Sequence, residues 1–364
     1  MASRSKLIAV LALTVPTSVI AKQLGLNDQI LFFLSIAGLI PLAILLSTAT
    51  EKLAERLGPS IGALLNALFG NATELIISLT ALKAGLVEIV KASITGSVMA
   101  NLLLAMGMSM LLGGIGRDEQ TFPPVVGRVN GTAMTLALLA IVIPSISTML
   151  PIEGGNGLRE DTMGFSTLVA VILISVYILT LVFSLKTHSA KFAVVDAKLE
   201  DPESESEIVP LGPWVAVLLL ATLGIAFESE LFVACVETVT QGLGFNAVFM
   251  GVILLPLVGG VAEYVTAISM ARKNRMDLSV SVALGSTLLI ALLVVPILVL
   301  AGPFLGHPLD LSFGVYEVVA IIAAVSITNL VSSDGRSDWL EGSLLIATYG
   351  ILAAGFFFRV SATA

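Results

Sequence analysis

The chain has 364 residues, 57% hydrophobic and only 12% charged, with a net charge of −8. Mean hydropathy is +1.03 and the pI is near 4.8. A soluble domain is closer to half apolar and a quarter charged, and a nucleic-acid binder needs a basic face, so both classes are excluded. One cysteine, Cys235, excludes a disulfide scaffold, and two histidines, His188 and His307, leave little for a histidine-ligated metal centre. What remains is an all-α polytopic protein of the lipid bilayer.

Eleven apolar runs approach the length of a bilayer crossing: about 6–22, 30–50, 60–82, 92–113, 129–150, 163–185, 211–229, 246–270, 278–301, 313–331 and 341–358. The first follows Arg4 and Lys6 as a signal peptide would, but the next span follows at once and it is kept as a helix. With the N-terminus in the cytoplasm, 13 basic residues, among them Lys52, Arg117 and Arg272, fall on the cytoplasmic side. Five (Lys22, Lys83, Lys91, Arg159 and Arg359) fall on the other. That asymmetry fixes the sidedness. The polar stretch 186–210, with Asp196, Glu200, Asp201, Glu203, Glu205 and Glu207, reads as a solvated linker that also raises the local cation concentration.

The sequence compares with itself. Gly70-Asn-Ala-Thr-Glu74 and Gly259-Gly-Val-Ala-Glu263 are 189 residues apart, and at the same offset Gly96-Ser97 falls on Gly285-Ser286 and Glu88 on Asp277. An odd number of spans between the copies inverts the second in the membrane. Inverted repeats with glycine-interrupted helices mark a secondary transporter whose site lies near the midplane.

Glu74 lies in the middle of span 3 and Glu263 in the middle-to-late part of span 8. A carboxylate at that depth costs at least about 2.5 kcal/mol and is functional by default. No Lys or Arg lies inside a predicted span core to neutralise either glutamate. Two carboxylates invite a cation, and a hard divalent ion takes six to eight oxygens. Asn71, Thr73, Ser97, Asn101, Ser286 and Thr287 can supply them, and Gly70, Gly259 and Gly260 can open the helix and free backbone carbonyls. One Ca²⁺ or two protons neutralise the pair, so crossing is cheap when loaded and costly when empty, which is antiport. Two Na⁺ would do the same, so charge alone does not choose the counter-ion.

Gly70-Asn-Ala-Thr-Glu-Leu-Ile76 resembles the first signature of the calcium/proton exchangers of the cation/Ca²⁺ exchanger superfamily, and Gly259-Gly-Val-Ala-Glu-Tyr264 sits where their second falls. The resemblance extends through Leu65-Asn-Ala67, Gly96-Ser97 with Asn101, Lys273-Asn-Arg-Met-Asp277 and Ser333-Asp-Gly-Arg-Ser-Asp-Trp-Leu-Glu341. It implies eleven transmembrane helices: an extra N-terminal helix (1–29), a first five-helix repeat (30–189), an acidic cytoplasmic linker (190–210) and an inverted second repeat (211–364). It implies Glu74 and Glu263 as ion ligands, Glu51 and Glu230 as proton-relay or gating positions, and exchange of Ca²⁺ for H⁺. Proton-coupled members usually show Gly-Asn-Ala-Ala-Glu-His in the second signature, where this chain has Gly260 and Tyr264. Sodium-coupled relatives carry Pro before each glutamate; Thr73 and Ala262 stand there, which favours protons over a Na⁺-coupled exchanger or a broader Mn²⁺ carrier. A channel would place its carboxylates in an oligomeric ring, and an enzyme would need a nucleophile or metal cluster that is not evident. The expectation is a transporter rather than an enzyme, in a prokaryotic cell membrane or alternatively a vacuolar one.

The charge asymmetry sets an expected labelling pattern. In a Cys235→Ala background, Ser5→Cys should react only from the cytoplasm and Gly155→Cys only from outside. Same-side labelling would break the alternation.

Overall fold

The computed structural model describes residues 14–149, 158–183 and 211–358. The first part of span 1, Gly155 and the acidic stretch 190–210 lie outside them. All but two short pieces of regular structure are helical. These helices are α1 (14–23), α2 (Asp28–Leu57), α3 (Pro59–Phe69), α4 (Ala72–Lys83), α5 (Val87–Gly114), α6 (Pro124–Met149), α7 (Leu158–Val182), α8 (Leu211–Leu243), α9 (Ala247–Gly259), α10 (Val261–Arg272), α11 (Met276–Leu305), α12 (Val315–Val331) and α13 (Trp339–Phe358). Strands β1 (Gln120–Thr121) and β2 (Arg336–Ser337) pair antiparallel, Gln120 opposite Ser337.

Among the described residues, eight helices are long and apolar enough to cross a bilayer, counting Leu64–Lys83 as one, and α9 with α10 makes a ninth if that bent pair is one span. The expected count of eleven is not reached by this measure. α12, at 17 residues, is short, and only ten residues of α1 are described.

The repeat is written in the helix boundaries. Ala72–Lys83 and Val261–Arg272 correspond end to end at the offset of 189, as do the starts of α5 and α11, Val87 and Met276. Between them, Gly85 (φ +82°) and Asn274 (φ +60°) hold equivalent left-handed positions. Glycine takes that conformation freely and asparagine is among the residues that tolerate it. Both longer helices also widen to π-helical hydrogen bonding at matching places, Ala100–Ala105 and Ile290–Val294.

The chain divides into two compact units, one through Thr80 with Ser175–Val239, the other Ala81–Ile174 with the residues from Thr240. In the first, α2 packs on α3, and Phe32 of α2 stacks on Phe232 of α8 at 5.0 Å. In the second, α5 is the central helix: 83% of its most apolar stretch is buried, against 17% for α7. Helices α9 to α13 all pack on α5. Glycines permit the closest crossings. A Cβ at Gly251 would lie 2.6 Å from the Ala92 Cβ, and one at Gly107 3.0 Å from the Gly342 carbonyl.

Two loops in the second unit grip the opposite repeat's turn. The Gln120 side-chain amide donates to the Ala271 carbonyl (3.0 Å) and Asn274 Oδ1 (2.9 Å), and the Arg117 guanidinium to the Gly113 and Arg272 carbonyls. Reciprocally, the loop after α11 lays His307 against Gly85 and offers Asp310 to Lys91. Lys91 was expected at an exposed span end; α5 starts earlier, at Val87, so Lys91 is inside the helix and 7% exposed. Its ammonium donates to Asp310 Oδ1 (2.5 Å) and the Ser312 carbonyl (2.7 Å). Ser145 and Ser166 hold the same loop, accepting from the Phe313 N–H (2.9 Å) and the Leu311 N–H (3.0 Å).

Burial alone would push the Asp310 carboxyl up, but hydrogen bonds from Lys91 and Ser312, with the Lys91 charge, outweigh it and hold the group below the usual aspartate range. Such a group stabilises the fold above that range and loses its contribution as pH falls through the lowered value. Lys91→Met should therefore cost about 1–3 kcal/mol near neutral pH. The gap from wild type in thermal unfolding should narrow as pH falls below about 4. A gap independent of pH would contradict the pairing.

Candidate functional site

Each signature glutamate stands at the start of a restarted helix. In the first unit α3 closes on Gly70, whose N–H donates to the Asn66 carbonyl (2.7 Å); Asn71 links, and α4 begins at Ala72 with Glu74 in its first turn. In the second unit α9 closes on Gly259, Gly260 turns the chain (φ −89°, ψ 11°), and α10 begins at Val261 with Glu263 in its first turn. The α9–α10 axes bend by 61°. The sequence reading expected these glycines to free carbonyls. The break also creates a helix N-terminus inside the span, with the positive end of the helix dipole beside the carboxylate. That is worth up to ~2 kcal/mol to an anion in a partly buried place.

Glu74 is 5% exposed, and neither of its carboxylate oxygens is hydrogen-bonded. Asn71 and Thr73 are buried beside it in sequence, while Gly70 and Glu263 are half-buried. The Gly260 carbonyl accepts from the Tyr264 N–H (3.1 Å), leaving one lone pair for a ligand.

The two departures from the usual second signature belong together. The Tyr264 hydroxyl reaches back across the break and donates to the Pro256 carbonyl at 2.9 Å. Its ring therefore lies over residue 260, where a Cβ would come within 2.5 Å of the hydroxyl oxygen. Only glycine leaves room.

In the second unit, α10 and α11 both pack on the Ala100–Ala105 segment of α5, the stretch that contains Asn101. Asn101 is fully buried, and neither amide atom is hydrogen-bonded. A buried polar group without a partner costs about 1–3 kcal/mol and marks a place with another role. Ser97, Ser286 and Thr287 are also buried, and the Thr287 hydroxyl donates to the Ala283 carbonyl (2.9 Å). The structure thus brings the helices of Asn101, Glu263 and Ser286 together in one unit, and Gly70, Asn71, Thr73 and Glu74 stand together in the other. Among the described residues no three His, Cys, Asp or Glu side chains form a metal cluster. A divalent ion here would draw on amide, hydroxyl and carbonyl oxygens beside its carboxylates.

Glu51 and Glu230 are both exposed. Sequence reasoning missed Glu228. The apolar run of span 7 closes near residue 229, but α8 runs on to Leu243 and Glu228 is 0% exposed in its middle.

Comparison with known proteins decides the family. The sodium/calcium exchanger protein family matches residues 29–186 and again 213–358. The chain belongs to this family. It is 47% identical to a Ca²⁺/H⁺ antiporter of Aphanothece halophytica, covering 96% of this chain and 95% of that protein. It is 45% identical to one of Synechocystis, covering 99% of each. The structure of native YfkE superposes with a TM-score of 0.82 at 37% identity, over 96% of this chain and 99% of that one. The exchanger is accordingly an all-α, multi-pass membrane protein of this fold.

The glycines at equivalent places in α5 and α11 differ. A Cβ at Gly96 would collide with the Val252 carbonyl and sit 2.7 Å from Pro256, whereas one at Gly285 meets nothing within 4 Å. Gly96→Ala should cost about 1–3 kcal/mol by overpacking. Gly285→Ala should be neutral or stabilise by up to ~1 kcal/mol through helix propensity. Thermal unfolding in detergent checks both, and equal effects would refute the difference in packing.

Proposed function

We propose that the chain exchanges Ca²⁺ for H⁺ across a prokaryotic cell membrane by alternating access, with its N-terminus in the cytoplasm. Glu74 and Glu263 supply the carboxylates. Asn71, Thr73, Ser97, Asn101 and Ser286, with the backbone around Gly70, Gly259 and Gly260, supply further oxygens. The observation that carries the reading is the recurrence, 189 residues apart, of a glutamate in the first turn after a helix break within a span. Relatives of near-equal length described as Ca²⁺/H⁺ antiporters support the ion pair.

The mechanism follows from charge. An empty site carries two negative charges at depth, which is costly even beside two helix N-termini. One Ca²⁺ discharges it, and so do two protons, one on each carboxylate. The loaded forms cross and the empty form does not, so the ions exchange. Thr73 and Ala262 precede the glutamates and support proton rather than sodium coupling. Glu51 and Glu230, exposed on α2 and α8, are the proposed proton-relay or gating positions.

Glutamine keeps the size of glutamate and one carbonyl oxygen but loses the charge and the titratable proton. Glu74→Gln or Glu263→Gln leaves a bound Ca²⁺ with an uncompensated charge. Even a partial penalty of about 3 kcal/mol is more than a hundredfold in affinity. Both variants should insert and fold yet fail in ⁴⁵Ca²⁺ uptake driven by an opposing pH gradient. Wild-type affinity should fall as pH drops, because protons and Ca²⁺ compete for the same oxygens. Near-normal exchange by either variant, or affinity flat between about pH 5 and 8, would sink the shared-site reading.

A further inference from the structure

Glu228 is an ionisable group at depth that the exchange mechanism above does not use. It stands seventeen residues after Leu211 and fifteen before Leu243. At 1.5 Å per residue that leaves about 22 Å of helix or more on either side. The carboxyl is therefore about four turns or more from either end of the helix. It is 0% exposed and neither oxygen is hydrogen-bonded; its neighbour Ser229 is likewise fully buried with its hydroxyl unpaired.

The surroundings are tight. A Cβ at Gly38 of α2 would lie 2.9 Å from the Glu228 carboxyl, so the glycine lets the group sit this close to α2. From α1 the Ser18 hydroxyl lies beside it, but its own proton goes to the Thr14 carbonyl at 3.1 Å. Among the described residues no charge compensates it. Lys22 of α1 and Asp28 of α2 lie toward Cys235, two turns further along α8, with the Lys22 ammonium 5.9 Å from the Phe227 ring. Glu230 and Glu237, on α8 itself, are exposed. A lone carboxyl with one or two hydroxyls falls far short of the six to eight oxygens a calcium ion takes. An unpaired negative charge in such a place is strongly disfavoured. The ligand that fits is a proton.

We propose that Glu228 is a proton-binding site of its own, separate from Glu74 and Glu263: its carboxyl is neutral while α8 lies against α1 and α2 as here, and it yields its proton to water only when that packing opens. Alkaline pH then loosens α8, and neutral pH seats it. The inference goes beyond the exchange reading and does not depend on it.

Infrared difference spectra of the full-length protein in nanodiscs, taken between neutral and alkaline pH, test this. Wild type should lose a protonated-carboxyl C=O band on alkalinisation. The band should persist in the Glu74→Gln/Glu263→Gln double variant and disappear when Glu228→Gln is added to it. Wild-type thermal stability should also fall as pH rises above the ordinary glutamate value of about 4.3, by up to about tenfold per pH unit in the folding equilibrium and levelling off once the carboxyl ionises in place, and Glu228→Gln should abolish that slope. A band kept when Glu228→Gln is added to the double variant, or missing from the double variant itself, overturns the proposal. If glutamine at 228 prevents folding, Glu228→Asp replaces it, and an unmoved band then overturns the proposal. Loss of exchange in the double variant with the Glu228 band intact bears on Glu74 and Glu263 alone.

Discussion

A carboxylate survives in the apolar depth of this fold because the helix that carries it stops and restarts there. Backbone groups in hydrocarbon must find partners within the protein, so an interruption is tolerated only where it serves a polar purpose. Here the interruption places Glu74 and Glu263 in the first turns of α4 and α10, where helix dipoles offset part of their charge. Much of the second unit holds the later break in place. The close α5–α9 crossing fixes the segment before it, and the hydrogen bonds from Gln120 and Arg117 satisfy carbonyls at the end of the segment after it.

The repeat was legible because its signal is local. Gly-x-x-x-Glu at a fixed offset marks both breaks, and helix boundaries, left-handed turn positions and π-helical segments follow the same spacing. What hydropathy hid was helix length. The window for span 7 closes where Glu228, Glu230 and Glu237 dilute the apolar run, yet the helix continues, because it needs hydrogen bonds along its axis and only one buried face. Lys91 escaped for a different reason. Its partner Asp310 is 219 residues away, a pairing that no local pattern announces. Tyr264 could be read as a departure from a motif, but not as a hydroxyl reaching over its own helix break.

The two loops that follow α5 and α11 act as reciprocal straps within the second unit. Each leaves one repeat and fastens the turn of the other, the first through Gln120 and Arg117, the second through His307 and Asp310. The chemistry differs on the two sides. A neutral amide and a charged guanidinium donate to carbonyl oxygens at one, and a part-buried ion pair with serine hydroxyls closes the other. Symmetry of backbone therefore coexists with asymmetry of fastening, and the two turns answer differently to acid.

The fit of Tyr264 over Gly260 restricts the order in which this signature can change by mutation. An asparagine introduced at 260 while the tyrosine remains would drive its Cβ into the ring, so that path passes through a disrupted helix break. Exchanging the tyrosine first removes the obstacle and forfeits one hydrogen bond to the Pro256 carbonyl, which still accepts from the Gly260 N–H at 2.9 Å. Two positions that read as independent letters are thus coupled, and one order of change, through a glycine–histidine intermediate, connects this version of the motif with the asparagine–histidine version in either direction.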